Sequence, residues 1–356
     1  MSVERVPVLI DTDCGVDDAV ALWWALTHRR IEIVGFSIVW GNVDVVTAAD
    51  NVGRILEATN HTTIPIALGL DAPIAAAPPL RRADFIHGSD GLGDTFRPPP
   101  TTEPIAEPAV AFLRRLVDER PGELTVVTLG PLSNIAAVLA EDPTWSTRVK
   151  RLVAMGGVVG IQGNALPYGE ANIAHDPAAA AVVVGARWNE PPLLVGLDVT
   201  QSATLTESEF ALVSEHKSAA ASYLDAPLHF YRTFGGTFAP PGECPCHDLL
   251  AVMGIFDEPG EPGLFDAPVL PLAVQAGPGP AWGSTIADRR APFFAAAGGD
   301  SVQEAHDDFT PWRVALGVDV ARFRSEVRHL FGETHPHPAG PPPHHRPDES
   351  ATEDPR

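Results

Sequence analysis

Short apolar runs recur along the chain at residues 6–11, 31–40, 64–68, 124–129, 149–155 and 193–197, with helix-like spacing between them. Alternation of this kind predicts an open, mostly parallel, Rossmann-like α/β sheet with helices on both faces. The first interval, 19–30, is rich in Ala, Leu and Trp and ends on His28, Arg29 and Arg30, cations that complement the negative end of a helix. The chain is therefore expected to open as strand, helix, strand. Residues 70–108 are Pro-rich without a long periodic segment, which predicts a surface excursion, and long excursions often carry function. A second irregular stretch, 235–245, holds Gly235-Gly236 and Pro240-Pro241-Gly242 and is expected to be a mobile flap ahead of a helix over 246–256. Residues 269–274 and 314–331 read as further sheet and a closing helix. Beyond Gly332 the pattern stops in a Pro/His-rich run that includes His335, His337, His344 and His345. Such a segment cannot bury a core, so the expected organisation is one α/β domain over 1–332 and a disordered tail over 333–356.

Composition narrows the partners. With 356 residues and 45% hydrophobic content the chain can bury a sizeable core, while Lys+Arg 24 against Asp+Glu 46 gives a net charge of -22. A phosphate backbone or an anionic membrane would be repelled over most of such a surface, so neither nucleic acid nor membrane is expected as a partner. The N-terminus runs straight into an apolar strand without a basic leader, and no stretch reaches the roughly 20 apolar residues that span a bilayer; a soluble, cytoplasmic protein is expected. Cys14, Cys244 and Cys246 are too few for a disulfide framework, and Cys244-Pro245-Cys246 lacks a second thiol pair for zinc.

The chemistry is concentrated just after the first apolar run, in Asp11-Thr12-Asp13-Cys14-Gly15-Val16-Asp17-Asp18. Four carboxylates at the end of a strand and the start of a helix occupy the position where open α/β sheets bind ligands. Like charges at close range raise one another's pKa, and a bound cation is the simplest remedy. All-oxygen ligation favours a hard divalent ion, Ca²⁺ or Mg²⁺. The plainer reading makes Asp11 and Asp13 helix caps and leaves Asp17 and Asp18 in solvent, but capping uses one or two acids rather than four.

This loop, followed by Ala19 and Val20, resembles the DxDxGxDDAxA signature of the nucleoside hydrolases, N-ribohydrolases of the inosine-uridine type. The resemblance continues in order through Gly41-Asn42, residues 87–93 (His-Gly-Ser-Asp-Gly-Leu-Gly), residues 129–136, Met155-Gly156-Gly157, Gly163-Asn164, Glu170-Ala171-Asn172, Asp176-Pro177, residues 197–200 and His247-Asp248, covering about residues 5–331. It implies Ca²⁺-dependent cleavage of the N-glycosidic bond of a small-molecule ribonucleoside, giving ribose and a free base. Ca²⁺ would be held by the side chains of Asp13, Asp18 and Asp248 and by the backbone carbonyl of Leu129, where the side chain is irrelevant. Asp13 is the candidate base that activates water. Asp17, Asn164, Glu170 and Asn172 are the ribose holders, with Asn42 helping them or orienting the metal carboxylates, and Met155 packing near the sugar. His247 and His87 are the candidates for assisting the leaving base, with Tyr231 close by. His229 is expected in a solvent-exposed loop. A homodimer or homotetramer is implied by the resemblance alone. Two departures stand out: Cys14 replaces the Pro or small residue of many relatives, and Ala171 replaces an aromatic residue, which leaves base preference open.

Two other functions compete. A haloacid-dehalogenase-like phosphatase also places an Asp-x-Asp loop after a strand, binds Mg²⁺ and would use Asp11 as nucleophile with Asp13 beside it; that family needs a downstream lysine, and Lys150 and Lys217 are the only two here. A nucleoside or ribose binder that has lost turnover is the other, against which the intact Asp13, Asp18, Asp248 and His247 argue.

Overall fold

The computed structural model describes residues 4–76, 78, 80–235, 239–260, 263–290 and 309–332. The strands, in chain order, are β1 Val6–Thr12, β2 Ile31–Ile38, β3 Ile66–Leu68, β4 Thr125–Thr128, β5 Arg151–Met155, β6 Leu193–Val195, β7 Thr204–Leu205, β8 Cys244–Pro245, β9 Phe265–Asp266, β10 Val269–Val274, β11 Thr285–Ala287, β12 Thr310–Val314 and β13 Gly317–Val318. Nine of them form one sheet in the order β11-β10-β12-β6-β5-β4-β1-β2-β3. From β12 to β3 every pairing is parallel, while β10 runs antiparallel to both its neighbours. The expected open, mostly parallel sheet is present, with an antiparallel edge that hydrophobic pattern alone does not reveal.

The helices are α1 Val16–Thr27, α2 Val45–Thr59, α3 Asp84–His87, α4 Ala109–Glu119, α5 Ser133–Glu141, α6 Ala171–His175, α7 Pro177–Val184, α8 Leu197–Thr200, α9 Glu207–Glu215, α10 Ala219–Gly235, α11 His247–Met253 and α12 Val320–Gly332. Side chains alternate across a strand, so Val8 and Ile10 face one core and Leu9 the other. The first core is closed by α1, α2, α10, α11 and α12; the second by α4, α5 and α7, around the fully buried Trp145 and Trp312. Both faces of the sheet are thereby covered, as an all-apolar parallel strand requires.

Helix α1 spans Val16–Thr27, three residues ahead of the expected start at 19. Its N-terminus lies inside the acidic loop, so Asp17 and Asp18 are first-turn residues, buried rather than in solvent. It ends before His28, Arg29 and Arg30, which lie beyond its last turn. The 70–108 excursion is not featureless: α3 lies within it and delivers His87. Gly235 ends α10 and Cys244–Pro245 form β8, while residues 236–238 of the expected flap, like the expected tail at 333–356, fall outside the described residues. No helix among the described residues is long and apolar enough to cross a membrane.

Candidate active site

Loops leaving the C-terminal ends of β1, β2, β4 and β5 meet above the middle of the sheet, where neighbouring crossovers diverge. Asp13 sits in the loop after β1, with Gly41 and Asn42 after β2 and Gly130 after β4 against it, while Met155 and Gly156 at the end of β5 lie against Asn172 and Glu170. Close approach requires glycine here. A Cβ on Gly41 would overlap Asp13 Oδ2, and one on Gly130 would lie 3.0 Å from Asp13 Cγ. Cys14 turns the loop with φ 33°, a left-handed value that proline cannot adopt. Asn51 of α2 steadies that turn by donating to the Cys14 carbonyl at 3.1 Å.

The carboxylates are knit together rather than dispersed. Asp18 accepts from Gly15 N at 2.8 Å and from Thr12 Oγ1 at 2.5 Å. Asn42 donates its backbone N–H to Asp13 Oδ2 at 2.8 Å, and its amide bridges Asp13 Oδ1 at 3.2 Å and Asp18 Oδ2 at 3.3 Å. Asp248, in the first turn of α11, closes the group from the far end of the chain: oxygens of Asp17, Asp18 and Asp248 all lie within 4.8 Å of one another. Asp17, which the sequence assigned to the sugar, therefore stands inside the acidic cluster as well. Asp11 does not join it; its Oδ1 accepts from Ser37 at 2.5 Å and Asn134 at 2.8 Å beneath the site.

Burial dominates the electrostatics. It raises the Asp13 carboxyl well above the usual range, with the charge of Asp18 adding to it. Burial and the neighbouring Asp17 bring Asp18 up to about 6, and burial with Asp17, Asp18 and Asp13 raises Asp248 strongly. Among the described residues no lysine or arginine pairs with any of these acids, and the basic side chain nearest Asp17 is His87, whose Nδ1 lies 3.9 Å from Oδ1. A set of buried, mutually repelling oxygen donors without a protein cation fits a hard divalent ion. The Leu129 carbonyl faces the same space and accepts from Asn172 Nδ2 at 2.8 Å.

A cavity opens beside the cluster. Asp17, Asn42, Leu129, Met155, Asn164, Glu170, Asn172, His87, Tyr231, His247 and Asp248 all line it. One wall is polar. Glu170 caps α6, its carboxylate accepting from Gly157 N at 2.8 Å and Asn172 N at 2.9 Å, and burial carries its pKa up to about 7. Asn164 is on the exposed rim, with Oδ1 accepting from Ala171 N at 3.0 Å. The Met155 sulfur packs 3.2 Å from the Asn172 amide.

The opposite wall is aromatic. His87 and Tyr231 stack with ring centroids 5.3 Å apart, and Phe234, Ile86 and Pro245 extend the surface. Tyr231 and His229 belong to α10 rather than to a loop; Pro227 within that helix masks it in the sequence. His229 points outward, its side chain half exposed. Burial lowers the pKa of both cavity imidazoles, against the opposing charge of Asp17. His87 Nδ1 accepts from Val16 N at 3.1 Å, and His247 Nδ1 lies 2.7 Å from Thr200 Oγ1. Thr12 and Thr200 lie inside the matched stretches and Asn51 outside them, but the sequence assigned none of the three a role, since lone hydroxyls and amides gain one only from what the fold sets beside them.

Comparison with known proteins agrees with this layout. The family model described as inosine-uridine preferring nucleoside hydrolase matches residues 8–325. A probable uridine nucleosidase of Arabidopsis thaliana is 35% identical over 253 residues, 71% of this chain and 78% of the relative. A non-specific ribonucleoside hydrolase of Escherichia coli is 37% identical over 211 residues, 59% of this chain and 67% of the relative. Among solved structures, a plant nucleoside hydrolase superposes with TM-score 0.82 at 31% identity, covering 92% of this chain and 99% of that one. A purine-preferring ribonucleoside hydrolase from Gardnerella vaginalis gives 0.78 at 30% identity, covering 91% and 98%.

Proposed function

Because the chain belongs to the inosine-uridine preferring nucleoside hydrolase family, and is thus a hydrolase of ribonucleoside N-glycosyl bonds, we propose that it works with Ca²⁺ and divides the reaction among the cavity residues as follows. Asp13, Asp18 and Asp248 would hold the ion with the Leu129 carbonyl; the carboxylate oxygens that converge within 4.8 Å are those of Asp17, Asp18 and Asp248, so Asp17 would share in it, while Asp13 is tied to Asp18 through the Asn42 amide. When bound, a divalent cation acidifies water in its shell and offsets developing negative charge. Asp13 takes the proton of the attacking water. Its carboxylate is aimed by the two Asn42 donations, which leave lone pairs on both oxygens.

Asn164, Glu170, Asn172 and Asp17 present acceptors and donors to the sugar hydroxyls, with Met155 beneath. A hydroxyl that loses such a buried partner costs about 1–3 kcal/mol, so ribonucleosides should be favoured over 2′-deoxyribonucleosides. As the bond from the sugar carbon to the base breaks, its electron pair moves to the base; His247, whose pKa burial lowers, first takes up a proton from solvent and then passes it to the base, returning to the neutral ring. His87 keeps its hydrogen on Nε2, because a backbone N–H occupies Nδ1, and so offers a donor to the base. Tyr231 stacks behind it. The proposal also takes residues 1–332 as one domain, acting in the cytoplasm as a homodimer or homotetramer.

The observation that carries the reading is the arrival of Asp248 beside Asp17 and Asp18, from some 230 residues downstream, in a buried cluster with no lysine or arginine partner among the described residues. The phosphatase alternative finds no support: Asp11 is withdrawn beneath the site, and Lys150 and Lys217 are both exposed and away from the cavity. Incubation with inosine, uridine, cytidine and adenosine should release reducing sugar, chelation should stop it, and added Ca²⁺ should restore it. Asp13→Ala should slow turnover by at least about 100-fold. No sugar from any ribonucleoside, with tight nucleoside binding retained, would favour a non-catalytic binder instead.

A further inference from the structure

We propose that Thr200 is a positioning residue for the leaving-group reaction, acting through His247; the inference deepens the reading above and rests on it. Thr200 ends α8, is fully buried, and places Oγ1 2.7 Å from His247 Nδ1. Among the described residues this imidazole is its one side-chain hydrogen-bonding partner. The contact is built into the fold. β7 and β8 pair antiparallel with Thr204 opposite Pro245, and Cys246 N donates to Ala203 O at 3.3 Å. The residues just after Thr200 are thereby stitched to those just before His247.

With Nδ1 held on Thr200, the opposite nitrogen of the ring is directed to the cavity that His247 lines. The contrast with His87 gives the hydroxyl its purpose. A backbone N–H can only donate, so Val16 fixes the His87 tautomer. A hydroxyl both donates and accepts, so Thr200 fixes the plane of the His247 ring without fixing which nitrogen carries the hydrogen. A valine at 200 would fill the same space and supply neither service.

The test separates leaving-group work from everything else the site does. Uridine and inosine need help at the departing base, whereas 4-nitrophenyl β-D-ribofuranoside expels a stable phenolate that needs no proton. Thr200→Val is expected to lower kcat on uridine and inosine about 10- to 100-fold, leaving KM nearly unchanged and leaving the nitrophenyl riboside within about three-fold of wild type. Thr200→Ser, which keeps the hydroxyl, should recover most of the loss, and in a His247→Ala background Thr200→Val should add nothing. Equal losses on both substrate types, a serine variant as slow as valine, or undiminished nucleoside turnover would each overturn the role. Failure of the wild type to cleave uridine or inosine would instead overturn the parent reading, and the Thr200 role with it.

Discussion

At the scale of single residues, the site depends on backbone approaching carboxylate more closely than any side chain allows. Gly41 is the sharpest case, since its missing Cβ is the space that Asp13 Oδ2 occupies. Gly41→Ala should therefore leave the fold intact, as judged by circular dichroism, yet displace Asp13 by around an ångström. A shift of that size costs about 100-fold in turnover, and calorimetry should register weaker divalent-ion binding. Wild-type kinetics in this variant would mean that Asp13 has slack, and with it that its aim by Asn42 is unimportant. The stations that sequence reading found, from Asp13 to Asp248, are residues whose chemistry is conspicuous wherever they stand. Thr12, Asn51 and Thr200 escaped it because their partners, Asp18, the Cys14 carbonyl and His247, become neighbours only through the loop turn, α2 and the β7–β8 pairing.

At the scale of elements, apolar runs located the parallel strands because a strand buried on both faces cannot hide its composition. Their direction was another matter, and β10 runs opposite to its neighbours with nothing in Val269–Val274 to say so. Helix α1 starts three residues ahead of the Ala-, Leu- and Trp-rich run because Val16, Asp17 and Asp18 form its first turn, where the acids at the sheet's end are buried and leave no apolar period to mark the start. Helix α2 shows the ordinary use of an acid by comparison. Asp44 caps it, accepting from Val46 N at 3.1 Å and Thr47 N at 2.9 Å, and these donors hold the carboxylate below its usual range. Asp44→Ala should lower unfolding stability by about 1 kcal/mol, read as a lower urea midpoint at unchanged slope. An unmoved midpoint would show that water replaces the cap without loss.

At the scale of the whole molecule, the acidic centre ties stability to cation and proton together. In metal-free protein the folded state holds protons that the unfolded chain releases, since burial brings Asp18 up to about 6 and raises Asp13 and Asp248 well above the ordinary value of 3.8. The sign follows directly. Below about pH 4 these acids are neutral in both states and exert no penalty; as pH rises through and beyond 6 the unfolded chain gains the advantage of free ionisation, so stability is lost. A divalent ion reverses this by stabilising the ionised, folded carboxylates, and at 100 times its dissociation constant it contributes about 2.7 kcal/mol. Thermal unfolding with chelator should accordingly show a melting temperature that falls from pH 5 to pH 8, and the gain on adding Ca²⁺ should be larger at pH 8 than at pH 5. Asp248→Asn removes one charge of the cluster, so it should soften the fall seen with chelator while shrinking the Ca²⁺ gain. Equal Ca²⁺ gains at both pH values, in wild type and variant alike, would place the ion somewhere other than among Asp13, Asp18 and Asp248. Opposite responses of the variant to chelator and to Ca²⁺ are what a local packing defect cannot imitate, because a lost contact destabilises the protein under both conditions.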